Sequence, residues 1–182
     1  MLLDLACDFA VADSSLYGFG RAEAELLAML YPRLGGRIEL VALDQASQRR
    51  SRSPTDAPIH FTRADFSRGV TLRNASVAIT VGLSQRLRRQ ERQSLMADVY
   101  RGLRAGGCAL VMEVIRGRDS MLNNFFADHT RQRQCEMSED IGTAMQIANT
   151  FDEEYALLRG SGFHSIDVFY KWYGLAGFIA IK

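Results

Sequence analysis

The side chains best suited to chemistry in this sequence are carboxylates that lie in or close short apolar runs. Asp4 and Asp8 fall in and after Leu2-Leu3-Asp4-Leu5-Ala6-Cys7, Asp44 follows Ile38–Leu43, and Asp65 follows Ile59–Ala64. A carboxylate in such a place accepts hydrogen bonds from the hydroxyls or the ammonium of a bound ligand. Glu113, in the run Cys108–Val114, has two readings: a group that orients substrate or takes a proton, or a structural hydrogen-bond acceptor. Of His60, His129 and His164, only His129, beside Asp128 in a weakly patterned region, suits a general base. Tyr170, Trp172 and Tyr173 cluster before the last apolar run, where they either line a pocket for a flat or cationic group or pack on a sheet edge. No Ser/His/Asp set, phosphate loop or metal-ligand spacing stands out. The catalytic residue is therefore unassigned and no metal is expected.

Strands and helices in alternation must position these groups. Leu2–Cys7 reads as a first buried strand and Arg21–Tyr31 as a helix stopped by Pro32 and Gly35-Gly36. Ile38–Leu43, Ile59–Ala64, Ala75–Val81 and Cys108–Val114 read as further strands. Gln90–Leu103 is amphipathic, with Leu95, Met96, Val99, Tyr100 and Leu103 on one face. Gln45–Pro58 is polar and reads as a loop, and residues 119–149 read as mostly helical. Thr150 and Glu153 have capping-box spacing at the start of the last helix, before strands at Ile166–Tyr170 and Gly177–Ile181. This order predicts an α/β fold: a Rossmann-like, seven-stranded, mainly parallel sheet with helices on both faces and a reversed last strand. Ligands then bind at the carboxyl ends of the strands, where Asp4–Asp8, Asp44, Asp65 and Val81–Gln85 fall.

Composition narrows the function classes. A chain of 182 residues fits one domain, 1–182, with a full core. Its 22 basic and 21 acidic residues leave a charge of +1, which gives nucleic acid little support as a partner. Arginines gather at Arg49, Arg50 and Arg52 and at Arg86, Arg88, Arg89 and Arg92, as a phosphate-facing surface or as solvated faces. Cys7, Cys108 and Cys135 are too widely spaced for a disulfide framework. With no apolar run long enough to span a bilayer and no signal peptide, the expected location is the cytoplasm, without a membrane partner.

Several motifs carry a resemblance. Leu3-Asp4-Leu5-Ala6-Cys7, Leu40–Asp44, Tyr100–Gly107 and Thr150–Phe163, in that order, resemble elements of the class I S-adenosylmethionine-dependent methyltransferases. From about residue 74, Asn74-Ala75-Ser76, Leu87, Glu91-Arg92-Gln93, Tyr100–Leu103 and the ending Gly177–Lys182 are similar to the tRNA wobble-uridine carboxy-S-adenosylmethionine synthases. That family converts S-adenosylmethionine and prephenate into a carboxylated cofactor. The resemblance implies S-adenosylmethionine as cofactor, with Asp4, Ala6, Cys7 and Asp8 at the first loop, Asp44 and Gln45 at the ribose, Asp65 and Phe66 on the adenine side, and Val81 after strand four.

Departures from the family fall on the chemistry. Val81 stands where the family has an asparagine, residues 134–149 contain no arginine to read a carboxylate, and the chain begins at the first motif, with no counterpart to an upstream cofactor-contacting tyrosine. Carboxylate transfer is therefore not expected. The expectation is methyl transfer to a small molecule or nucleoside, by a dimer or heteromeric complex. The alternative is a methyltransferase-fold subunit without catalysis. A second register of the first loop takes Phe9–Asp13 as the strand and Gly18-Phe19-Gly20 as the turn that opens the helix at Arg21. Of the two, the better local match is the loop at Ala6–Asp8.

Overall fold

A computed structural model describes residues 1–20, 23–44, 57–83, 87–133 and 148–182. The chain opens with a helix, α1 (Leu2–Phe9), followed by β1 (Ser15–Phe19), α2 (Glu23–Leu34), β2 (Glu39–Asp44), β3 (Ile59–Arg63) and β4 (Ala75–Val81). Then come α3 (Arg89–Gly102), β5 (Leu103–Val114), α4 (Ser120–Arg133), α5 (Phe151–Gly160), β6 (Ser165–Trp172) and β7 (Leu175–Ile181). The strands form one seven-stranded sheet in the order β3-β2-β1-β4-β5-β7-β6. Strands β1 to β5 pair in parallel, and β7 runs antiparallel to both its neighbours. The mainly parallel α/β sheet with one reversed strand is as the sequence predicts.

The first strand is not where the sequence placed it. Leu3-Asp4-Leu5-Ala6-Cys7-Asp8-Phe9 alternates apolar and polar as a strand would, yet these residues form α1. Ala6 decides between the two patterns. A strand would put it on the polar face with Asp4 and Asp8, but it is fully buried, with Leu2, Leu3, Leu5, Cys7 and Phe9 packed around the same core cluster. Leucine and alanine favour a helix, and Asp4 in its first turn suits the positive end of the helix dipole. Strand β1 is instead Ser15–Phe19, buried along its whole length. The chain therefore does not begin at strand one: fourteen residues, including α1, precede β1.

Two cores follow from the alternation of side chains across the sheet. On one face, Leu16, Leu40, Val77, Ile79 and Leu110 pack under α1 and α2. On the other, Phe19, Val41, Leu43, Ala78 and Val111 meet Leu95, Met96 and Val99 of α3 and Leu157 and Leu158 of α5. Helix α2 runs through Pro32 and stops only at Gly35-Gly36, whose positive φ values of 64° and 73° suit glycine. The pair Arg92–Glu154 ties α3 to α5 inside this packing, and Asn149 donates to the same carboxylate at 2.9 Å. Helix α5 starts as predicted, with the Glu153 amide donating to Thr150 Oγ1 at 3.3 Å and the Thr150 amide to Glu153 Oε2 at 2.7 Å.

Candidate functional site

The carboxyl edge of the sheet is stitched together by backbone hydrogen bonds between adjacent strand ends. Gly20, just past β1, donates its amide to the Leu43 carbonyl at 2.7 Å. Ala64, just past β3, donates to the Asp44 carbonyl at 2.9 Å, and Gly82, just past β4, donates to Met112 at 2.9 Å. Since Phe19 pairs with both Leu43 and Thr80, continuing the register brings Gly20 level with Asp44 on one side and Val81 on the other.

Of the residues named from sequence, Asp44, Asp65, Phe66 and Val81 lie at this edge. Asp44 is partly exposed at the end of β2. Asp65 is exposed and caps the short turn Phe66–Arg68: its Oδ1 accepts from the Ser67 amide at 3.1 Å and the Ser67 hydroxyl at 2.7 Å. Those bonds, with Arg68 at 3.3 Å, hold its carboxyl below the usual aspartate range. Phe66 is buried, its ring centroid 5.7 Å from that of Phe19, so it forms a floor beneath the edge. Gln45 lies outside the described residues.

The assignments Asp4, Ala6, Cys7 and Asp8 are corrected. The α2 helix starts at the carboxyl edge and ends at the opposite one, and Asp4 is paired to Arg33 in its last turn at 2.6 Å. Cys7 and Asp8 lie on the same helix, whose apolar side packs with Leu27 and Leu30 of α2. The four residues therefore sit with α1 against the far end of α2, away from the first loop.

The second register is half right. Gly20 does end the strand and turn the chain, with φ +112°, while Gly18 lies inside the strand and Phe9–Asp13 is no strand. Glycine at position 20 and a following run of helix formers were the signals that marked this loop. Arg21 and Ala22 lie outside the described residues.

Glu113 takes the structural reading. Only 2% exposed, it accepts the Leu83 amide at 2.9 Å and so braces the chain that follows β4. Further along the same edge, α4 packs on the β6–β7 turn. His129 stacks on Tyr173 with ring centroids 4.8 Å apart, Phe125 lies 4.1 Å from His129, and Trp172 meets Tyr173 edge-on at 5.1 Å. The Ile115 amide donates to Gly174 at 2.8 Å, which fixes this turn beside the carboxyl end of β5. The histidine and the aromatic cluster, separate features in the sequence, thus form one group. His60 and His164 lie in exposed positions elsewhere, and no metal-binding group of side chains occurs among the described residues.

Solved structures share this architecture. The S-adenosylmethionine-dependent methyltransferase SibL in its apo form matches with a TM-score of 0.66 at 10% identity, over 99% of this chain. Human N-acetylserotonin methyltransferase in complex with S-adenosylmethionine matches with a TM-score of 0.63 at 18% identity, over 92% of this chain. The fold is that of the S-adenosylmethionine-dependent methyltransferases. This chain spans about half the length of these two methyltransferases, 54% and 47%. Relatives by sequence are named carboxy-S-adenosyl-L-methionine synthase. That of Methylococcus capsulatus is 26% identical over 203 residues, covering 100% of this chain and 82% of its own. That of Actinobacillus succinogenes is 27% identical over 196 residues, covering 98% of this chain and 80% of its own. No protein-family model matches the chain. Among the described residues, no helix is long and apolar enough to cross a membrane.

Proposed function

We propose that this chain binds S-adenosylmethionine across the edge formed by Gly20, Asp44, Asp65 and Val81-Gly82, and transfers its methyl group to a small-molecule or nucleoside acceptor. The observation that carries the reading is the Gly20–Leu43 bond, which puts a bare glycine turn level with the carboxylate of Asp44. The residues present fit the cofactor. Gly82, with φ +65°, has open space where a Cβ would stand, so a ligand can lie close against the backbone there. Asp44 accepts the ribose hydroxyls, and Asp65 offers a second acceptor on the adenine side. When bound, the cofactor supplies a methyl group on a positively charged sulfur. The protein's part is to align an acceptor with that methyl and keep water away, which accounts for much of the rate in such a reaction.

Methyl transfer is favoured over the reaction named for the relatives because residues 134–149 hold no arginine to pair with a transferred carboxylate. Incubation with methyl-labelled S-adenosylmethionine and a small-molecule extract, followed by mass spectrometry, is expected to show label in an acceptor. A carboxylated sulfonium formed when prephenate is added would overturn this choice. One observation favours a second reading, a binding subunit without catalysis: Val81 presents only an alkyl side chain to the edge. Ligand stabilises a folded protein by RT ln(1 + [L]/Kd), about 2.7 kcal/mol at a hundredfold excess over Kd. A melting temperature unmoved by millimolar S-adenosylmethionine supports that second reading.

A further inference from the structure

Two sets of aromatic residues contrast in this protein. Phe19, Phe66, Phe163 and Phe178 are fully buried and serve the cores. Phe125, Trp172, Tyr173 and the imidazole of His129 are in mutual ring contact yet remain partly exposed, Phe125 to 46%, at the edge where β5 and β6 end. Their position is held: Ile115 bonds to Gly174, and Lys171 donates to the Tyr173 carbonyl while its ammonium stands 4.7 Å above the Phe126 ring.

His129 is oriented as well as stacked. Its Nδ1 lies 2.9 Å from the Phe125 carbonyl oxygen. A carbonyl oxygen can only accept, so Nδ1 carries the hydrogen, and in the neutral ring Nε2 is left with a lone pair. No protein partner for Nε2 occurs among the described residues. The imidazole is thus stacked on Tyr173, packed obliquely against Phe125 and fixed by one nitrogen, with the other nitrogen left to accept.

We infer that Phe125, His129, Trp172 and Tyr173 form the acceptor subsite, and that it takes a flat aromatic ring bearing a hydroxyl group, a phenol, whose proton is accepted by His129 Nε2. This rests on the proposed methyl transfer for its chemical step. There the phenol oxygen forms a bond to the methyl carbon while the carbon–sulfur bond breaks. Its electron pair stays on sulfur, giving neutral S-adenosylhomocysteine, and the phenol proton passes to Nε2 and then to water. Aromatic faces suit the ring by offset or edge-on stacking, and a base within reach of the hydroxyl supplies the proton transfer.

Trp172 is the single tryptophan of the chain, so its fluorescence reports on the subsite directly. Titration with para-cresol, with and without S-adenosylhomocysteine, is expected to give a saturable change, and 4-methylcyclohexanol none. Tyr173→Ala and Phe125→Ala should each weaken para-cresol about tenfold, the scale of one stacked ring. His129→Asn keeps a donor near the Phe125 carbonyl but replaces the basic Nε2 with an amide that does not take up a proton. Its para-cresol affinity should fall no further than that of Tyr173→Ala, while its methyl transfer at saturating para-cresol falls by about 10²-fold or more. No saturable change in protein shown by calorimetry to bind S-adenosylhomocysteine overturns the subsite and leaves the cofactor reading standing. Wild-type transfer rates in His129→Asn overturn the role of Nε2. Saturable para-cresol binding in protein that fails to bind S-adenosylhomocysteine keeps the subsite and removes the methyl-transfer reading instead.

Discussion

The Gly20 amide donates to the Leu43 carbonyl at 2.7 Å, and this bond sets the first loop and the end of β2 side by side. Had Leu2–Cys7 been the strand, the loop after it would have had to carry its ligand past the side chains of Ala6 and Asp8. With β1 at Ser15–Phe19, a glycine stands at the turn, and the Phe19–Leu43 register continues to set it level with Asp44.

One consequence is a pair of silent substitutions. Asp4 and Asp8 lie on α1, near the last turn of α2. Asp4→Asn and Asp8→Asn should leave S-adenosylhomocysteine affinity within about twofold, since exposed charges at that separation are largely screened. A tenfold loss in either variant would return α1 to the site.

The Arg92–Glu154 pair should be a strong point of the fold. Both side chains are buried, and Asn149 completes the carboxylate's bonding. Removing one partner leaves a buried charge unpaired, so Glu154→Ala should lose about 3–5 kcal/mol in denaturant unfolding. Replacing both, as Arg92→Met with Glu154→Leu, should cost much less. Equal losses in the single and double variants would contradict this account.

Stability should also fall on acidification through Glu153. Its carboxylate accepts the Thr150 amide and pairs with Arg116 at 3.1 Å, and these contacts hold it below the usual glutamate range. A depressed carboxylate contributes stability that is present above its unfolded value and lost as pH falls through the folded one. The melting difference between wild type and Glu153→Gln should therefore be present at neutral pH and shrink on acidification. A difference that is constant with pH would exclude the charge as its source.

Thr80 offers the opposite case. Its hydroxyl is buried within β4 and has no hydrogen-bond partner among the described residues. An unsatisfied buried hydroxyl costs about 1–3 kcal/mol, so Thr80→Val should unfold at equal or higher denaturant concentration. Clear destabilisation would mean that the hydroxyl is bonded in solution.

Much of the fold was legible because its signals were local and strong. The apolar runs at Leu40–Leu43, Ala75–Val81 and Cys108–Val114 are strands in register, and the Thr150–Glu153 box opens α5. The first strand was not legible for two physical reasons. In α1 the polar residues recur with a spacing that fits both a helix and a strand. In β1, Ser15-Leu16-Tyr17-Gly18-Phe19 contains a serine and a mid-strand glycine, which weaken any strand pattern. Its burial comes from neighbours β2 and β4. The same split runs through the site. Asp44 could be read from the run it ends, while the pairing of His129 with Tyr173 joins segments more than forty residues apart and exists only once α4 docks on the β6–β7 turn.

The central claim is that the Gly20–Asp44 edge binds S-adenosylmethionine, and calorimetric titration with S-adenosylhomocysteine tests it most directly. Wild type should bind one equivalent, and Asp44→Ala should bind more weakly by about 1.5–3 kcal/mol, the scale of hydrogen bonds to a charged acceptor. That corresponds to roughly a 10- to 150-fold rise in Kd. No heat of binding in wild type, or an affinity that Asp44→Ala leaves unchanged, would contradict it.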